Sequence, residues 1–184
     1  MKAAGYFSQY FETIYQDLKS IDSAQLEQAA SMVWAAHQSG KKNIVVGNGG
    51  SAAMASHVTV DFTKAAGIRS INFNEADLIT CFANDYGYEH WVARALEFYA
   101  DLGDLAIMIS SSGKSPNMVN GAQQAKVMGL SMITLSGFSP ENPLRKMGDV
   151  NLWADSQEYN VIEMTHHIWL LAIIDYIIEQ KKNT

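Results

Sequence analysis

The chain has 184 residues, 48% of them hydrophobic and 17% charged, with only 3 prolines. That length and composition supply the core of one ordinary domain and exclude a disordered chain. A formal net charge of -6 argues against a broad nucleic-acid surface, and a single cysteine, Cys81, leaves no internal disulfide, as a reducing, cytoplasmic compartment would have it.

The N-terminal stretch Met1 to Ser20 is amphipathic and charged, with no apolar segment and cleavage site of a secretory signal. Phe7, Tyr10, Phe11, Ile14, Tyr15 and Leu18 recur at helical spacing. Its aromatics are expected to pack either on their own domain or in a partner subunit. Asp22 or Ser23 caps a second helix, carrying Leu26, Ala29, Ala30, Met32, Val33 and Ala36 and ending at Ser39-Gly40. Asn43 to Gly47 then reads as a buried parallel strand, followed by a helix from Ser51 to about Ala65. Ser70 to Phe73 is a second strand, and Asp77 to Ala83 and Tyr88 to Ala100 are helices. Leu105 to Ile109 is a third strand. Ser115 to Met128 is a helix with Pro116 in its first turn, stopped at Gly129. Leu130 to Leu135 and Asp149 to Ala154 are further strands, and Val161 to Gln180 is a long apolar helix. The apolar run inside it, Ile168 to Ile174, is too short to span a bilayer. Strands alternating with helices predict a three-layer α/β/α sandwich around a parallel sheet.

Two loops carry the chemistry. Gly47-Asn48-Gly49-Gly50-Ser51-Ala52-Ala53 joins a strand to a helix N-terminus. Glycines permit close backbone approach, and the free N–H groups of the helix start favour an anion, typically phosphate. The loop is neither a Walker A motif nor a full dinucleotide fingerprint. The second loop, Ile109-Ser110-Ser111-Ser112-Gly113-Lys114-Ser115-Pro116-Asn117, also follows a strand and opens a helix, and its serines supply hydroxyl donors. Alone it reads better as a polar loop with a Ser cap. Both loops fall at the carboxyl ends of strands in one parallel sheet, where such folds bind ligands.

These two loops, with His57 and Asn84-Asp85-Tyr86-Gly87-Tyr88 between them, resemble the sugar isomerase (SIS) domain family, and within it the bacterial phosphoheptose isomerases. The resemblance spans nearly the whole chain. It implies a single SIS domain over residues 1–184 with a five-stranded parallel, flavodoxin-like sheet. It implies a homotetramer in which helical residues 1–40 pack between subunits. The implied partner is a phosphorylated sugar, with no membrane or direct nucleic-acid partner. Ser51, Ser110, Ser112 and Ser115 would hold the phosphate, together with Gly49, Gly50 and Ser111. Asn48 and Asp85 match family active-site positions.

The implied reaction moves a proton between C1 and C2 of an aldose or ketose through an enediol, which needs a base, an acid and a group to steady the oxyanion. The resembling isomerases use zinc, bound by a His and a Glu four apart and by a Gln and a His eight apart. This chain departs from that pattern. His57 matches the first position, but Asp61 replaces the Glu, Glu163 replaces the Gln, and Leu171 stands where the second His belongs. At about 100° per residue, His167 lies about 40° round from Glu163 and Leu171 about 80°, while His166 lies about 60° round on the other side. His57, Asp61, Glu163 and His167 therefore form a displaced candidate site for zinc, or for iron or manganese. Glu163, with Asp61 or His167, is the expected proton shuttle. Glu163 acting without metal is the competing reading. Beyond the enzyme stands a non-catalytic alternative, a phosphosugar-binding or partner-binding scaffold, favoured by the loss at Leu171.

Overall fold

The computed structural model describes residues 3–182. Its strands are β1 (Asn43–Gly47), β2 (Ser70–Ile71), β3 (Leu105–Ser110), β4 (Ser131–Ser136) and β5 (Val150–Trp153). All pair in parallel, in the order β2-β1-β3-β4-β5. The helices are α1 (Ala3–Leu18), α2 (Ser23–Gln38), α3 (Gly50–Lys64), α4 (Ala76–Tyr86), α5 (Trp91–Tyr99), α6 (Pro116–Val127) and α7 (Tyr159–Lys182).

Alternation along the strands builds two cores. Val45, Ile107, Ile109, Ile133 and Leu135 face one side, where they meet α2, α3 and α7. Their neighbours Ile44, Val46, Ala106, Met108 and Met132 face the other, against α5 and α6. Successive strand residues point to opposite faces, so a sheet covered on both sides needs apolar residues at nearly every position. β1 and β3 are buried throughout.

The expected elements are present, with shifted ends. β2 stops at Ile71 rather than Phe73, because the Asn72 side chain accepts from the Asn74 backbone N–H at 3.0 Å and turns the chain. Asn74 then anchors on α3, donating to Ala52 O at 2.7 Å and Ser56 Oγ at 2.8 Å. The helix expected from Tyr88 starts at Trp91. Gly87, at φ +86°, ends α4, and residues 88–90 form a turn. Asp22 caps α2, its carboxylate accepting from the Ala24 N–H at 2.9 Å.

α7 is longer and more apolar than the run Ile168 to Ile174 suggested, and is long and apolar enough to span a membrane by length and composition alone. Half of that apolar window is buried inside the protein, with Trp169, Leu170, Ile173 and Ile177 in the core. It is the central helix of one layer. α1 docks on it, with Thr165 Oγ1 donating to Asp17 Oδ2 at 2.9 Å and Trp169 Nε1 to Leu18 O at 3.1 Å. The outward side of α1 leaves Tyr6, Phe7, Phe11 and Tyr15 more than half exposed.

Candidate active site

The β1–α3 turn is shaped by three glycines with different jobs. Gly49 sits at φ +55°. A Cβ on Gly47 would collide with Ser51, and one on Gly50 with the carboxylate of Glu163. α3 therefore starts close above β1, without a side-chain cap on its N-terminus, and Glu163 of α7 lies against that start.

The β3–α6 loop closes the other side. Gly113, at φ +62°, has no room for a Cβ beside Asn142. Asn142 is fully buried and ties the next loop together, donating to Ser136 Oγ at 3.0 Å and accepting from the Arg145 N–H at 2.9 Å. Leu144 N–H donates to Gly113 O at 3.1 Å. The Ser loop is thus held from behind by backbone and amide contacts. Ser115 precedes α6 without capping it by its side chain; its hydroxyl instead lies 3.4 Å from Ser110 Oγ.

Between the loops is a cavity of about 120 Å³ lined by Asn48, Ser51, Ile109, Ser110, Ser111, Ser112, Ser115, Tyr159 and Glu163. Every serine assigned to phosphate from the sequence lines it. The Ser111 hydroxyl is buried with no hydrogen-bond partner within the protein. Larger hollows lie elsewhere, such as one of about 550 Å³ between α2 and α7 lined by Trp34, Tyr176 and Ile177. That groove has none of the serine and glycine loop chemistry, so size does not decide the site. Tyr159 escaped the sequence reading, although it lies one helical turn before Glu163 on the same face; its ring packs on Phe138, centroids 4.8 Å apart. Asp85 does not line the pocket. It is exposed on α4, accepting from Asn84 Nδ2 at 2.8 Å.

The second group lies along the seam between α3 and α7. His57 is the hub, its Nδ1 2.9 Å from His167 Nε2 and its Nε2 3.3 Å from Asp61 Oδ2. The two rings meet edge to face at 88°. Burial holds the His167 imidazole below the usual histidine range, the nearby His57 adds to the effect, and Asp61 opposes it. Three of the four residues of the expected metal set are thus joined in a chain, while Glu163 lies at the serine-lined pocket. Among the described residues no group of three or more His, Cys, Asp or Glu side chains is arranged to hold a metal ion. The His57 nitrogens are each turned to a different neighbour, and Leu171 packs on the core. The donor set does not fit a resident zinc as it stands. His166 is fully buried with Nε2–H donating to Ser136 O at 3.0 Å, which removes it from the site.

Known proteins share this architecture. A SIS domain family model matches residues 6–137. The chain belongs to the SIS domain family. Its relatives there include the phosphoheptose isomerase of Sulfurimonas denitrificans, 34% identical over 176 residues, which cover 92% of this chain and 88% of that protein. The phosphoheptose isomerase of Fusobacterium nucleatum is 34% identical over 141 residues, 74% of this chain and 72% of that protein. A solved phosphoheptose isomerase from Francisella tularensis superposes with a TM-score of 0.88 at 24% identity, over 98% of this chain and 100% of that one, and shows the same fold.

Proposed function

We propose that this chain is an aldose–ketose isomerase of the phosphoheptose isomerase type, acting on a phosphorylated sugar through an enediol. The observation that carries this reading is the placement of one carboxylate, Glu163, in a pocket it shares with Asn48, Ser51, Ser110, Ser111, Ser112 and Ser115. The serines and the uncapped start of α3 take the phosphate. Glu163 takes a proton from one carbon and returns it to the next. A hydroxyl donor beside Glu163 steadies the oxyanion formed between the two steps. His167, one turn along the same face, is braced by His57 and Asp61 and stands as the second proton carrier.

The test is solvent deuterium incorporation into a panel of phosphosugars followed by NMR, headed by sedoheptulose 7-phosphate. Exchange at C1 or C2 is expected, and it should survive a chelator, with zinc far below one ion per chain. Stoichiometric zinc lost together with exchange would instead support the displaced site of His57, Asp61, Glu163 and His167. Binding without exchange would leave the non-catalytic scaffold reading, for which the loss at Leu171 speaks. The further reading is a cytoplasmic homotetramer; the exposed aromatic side of α1 supports the packing of the N-terminal helices between subunits.

A further inference from the structure

Two loops distant in sequence are joined at the pocket by one pair of side chains. Asn48, on the turn after β1, donates from Nδ2 to Asn117 Oδ1 at 2.9 Å. Asn117, in the first turn of α6, donates back from Nδ2 to Asn48 Oδ1 at 2.8 Å. Tyr88 Oη also donates to Asn48 Oδ1, at 3.3 Å. The turn that carries Tyr88 is held on α6 by Asn120 Nδ2, which donates to Glu89 O at 2.9 Å. Three connections thus converge on one amide: β1–α3, β3–α6 and α4–α5.

Asn117 is 1% exposed and does not line the pocket, so it reaches a ligand only through Asn48. Its amide turns to Asn48 rather than to the start of its own helix, where asparagine usually bonds. Asn48 does line the pocket, and the clasp leaves it one amide hydrogen to offer there. We infer that Asn117 is a positioning residue: by clasping Asn48 it sets the spacing of the two phosphate loops and directs the remaining Asn48 N–H into the pocket. The inference rests on the reading of this pocket as a phosphosugar site.

Asn117→Asp is the sharpest variant. It is isosteric and still accepts from Asn48 Nδ2, but it cannot donate and sets a carboxylate oxygen against Asn48 Oδ1. Asn117→Ala and the Asn48→Ala/Asn117→Ala double variant complete the set, each first shown to unfold cooperatively near the wild-type temperature. Inorganic phosphate binding is measured by calorimetry, and kcat and KM with the sugar that exchanges. Because phosphate is held alike in ground and transition states, Kd and KM should rise together by about tenfold with kcat within about twofold. The double variant should be no worse than Asn48→Ala alone, since the pair acts as a unit. Unchanged Kd and KM in folded Asn117→Asp, or single effects that multiply in the double variant, would overturn the inference. A wild type that binds phosphate but turns over no sugar defeats the isomerase reading alone, and the phosphate arm still decides the clasp. A wild type that binds no phosphate defeats both.

Discussion

Glu163 and His166, three positions apart on one helix, have opposite fates. Glu163 lies in the pocket against Gly50. Glu163→Gln keeps the shape and removes the base, so deuterium exchange should fall by about 10²–10⁴-fold while phosphate binding stays near wild type. His166 faces the core, where burial pushes its imidazole down to about 4, against the opposing bond to Ser136 O. A folded pKa below the unfolded value means the unfolded chain takes up the proton first. Stability is therefore complete above about pH 6.5 and declines as pH falls toward about 4, by about 3 kcal/mol in total and about 2 kcal/mol of it by pH 5. Urea denaturation at pH 7 and pH 5 should show this loss in the wild type. In His166→Gln, which still reaches Ser136 O without a titrating group, the pH slope should be shallower.

At the scale of elements, the loops owe their form to what stands behind them. Gly113 combines a positive φ with a buried amide where its Cβ would be. Gly113→Ala must both strain the backbone and displace Asn142, which holds Ser136, Gly137 and Ser139. We expect it to abolish phosphate binding and to lower stability by about 1–3 kcal/mol, read by calorimetry and thermal unfolding. Gly49→Ala, whose Cβ meets nothing within 4 Å, strains the backbone alone and should be milder at the same assays. The positions of these glycines were legible in the sequence as turn signals. Their different jobs were not, because what a missing Cβ makes room for lies elsewhere in the chain: Ser51 above Gly47, Glu163 above Gly50 and Asn142 above Gly113.

At the scale of the whole molecule, α1 is held at its C-terminal end by Asp17 and Leu18 while Phe7, Phe11 and Tyr15 repeat along an exposed side. Phe7, Phe11 and Tyr15 are spaced four apart, so they form one stripe on the helix. Phe7→Ser/Phe11→Ser should lower the assembled mass seen by light scattering while leaving the fold of the single chain intact. A tetramer unchanged by this pair would place the subunit contact elsewhere. The same packing explains why α7 reads as a membrane-length helix: α1 and α2 cover one side of it and the sheet and α3 another.

The alternating pattern of apolar runs and helical periods determined the layered α/β fold on its own, since period and burial are local properties of the chain. The serines and glycines of the two loops likewise named the pocket, because turn chemistry is local and strand ends in a parallel sheet share one edge. The helical wheel also placed His57 with Asp61, and Glu163 near His167, on common faces. Tertiary structure alone decided how those faces meet. The crossing of α3 and α7 brought His57 to His167 and left Glu163 at the serine-lined pocket, dividing a set that the helical wheel had grouped as one metal site. It alone turned His166 into the core and Asp85 to the surface, and joined Asn48 to Asn117 across 69 positions of sequence. Spacing along a helix fixes an angle about its axis. The distance to a neighbouring element depends on the side chains packed between them, and no local stretch of sequence contains both.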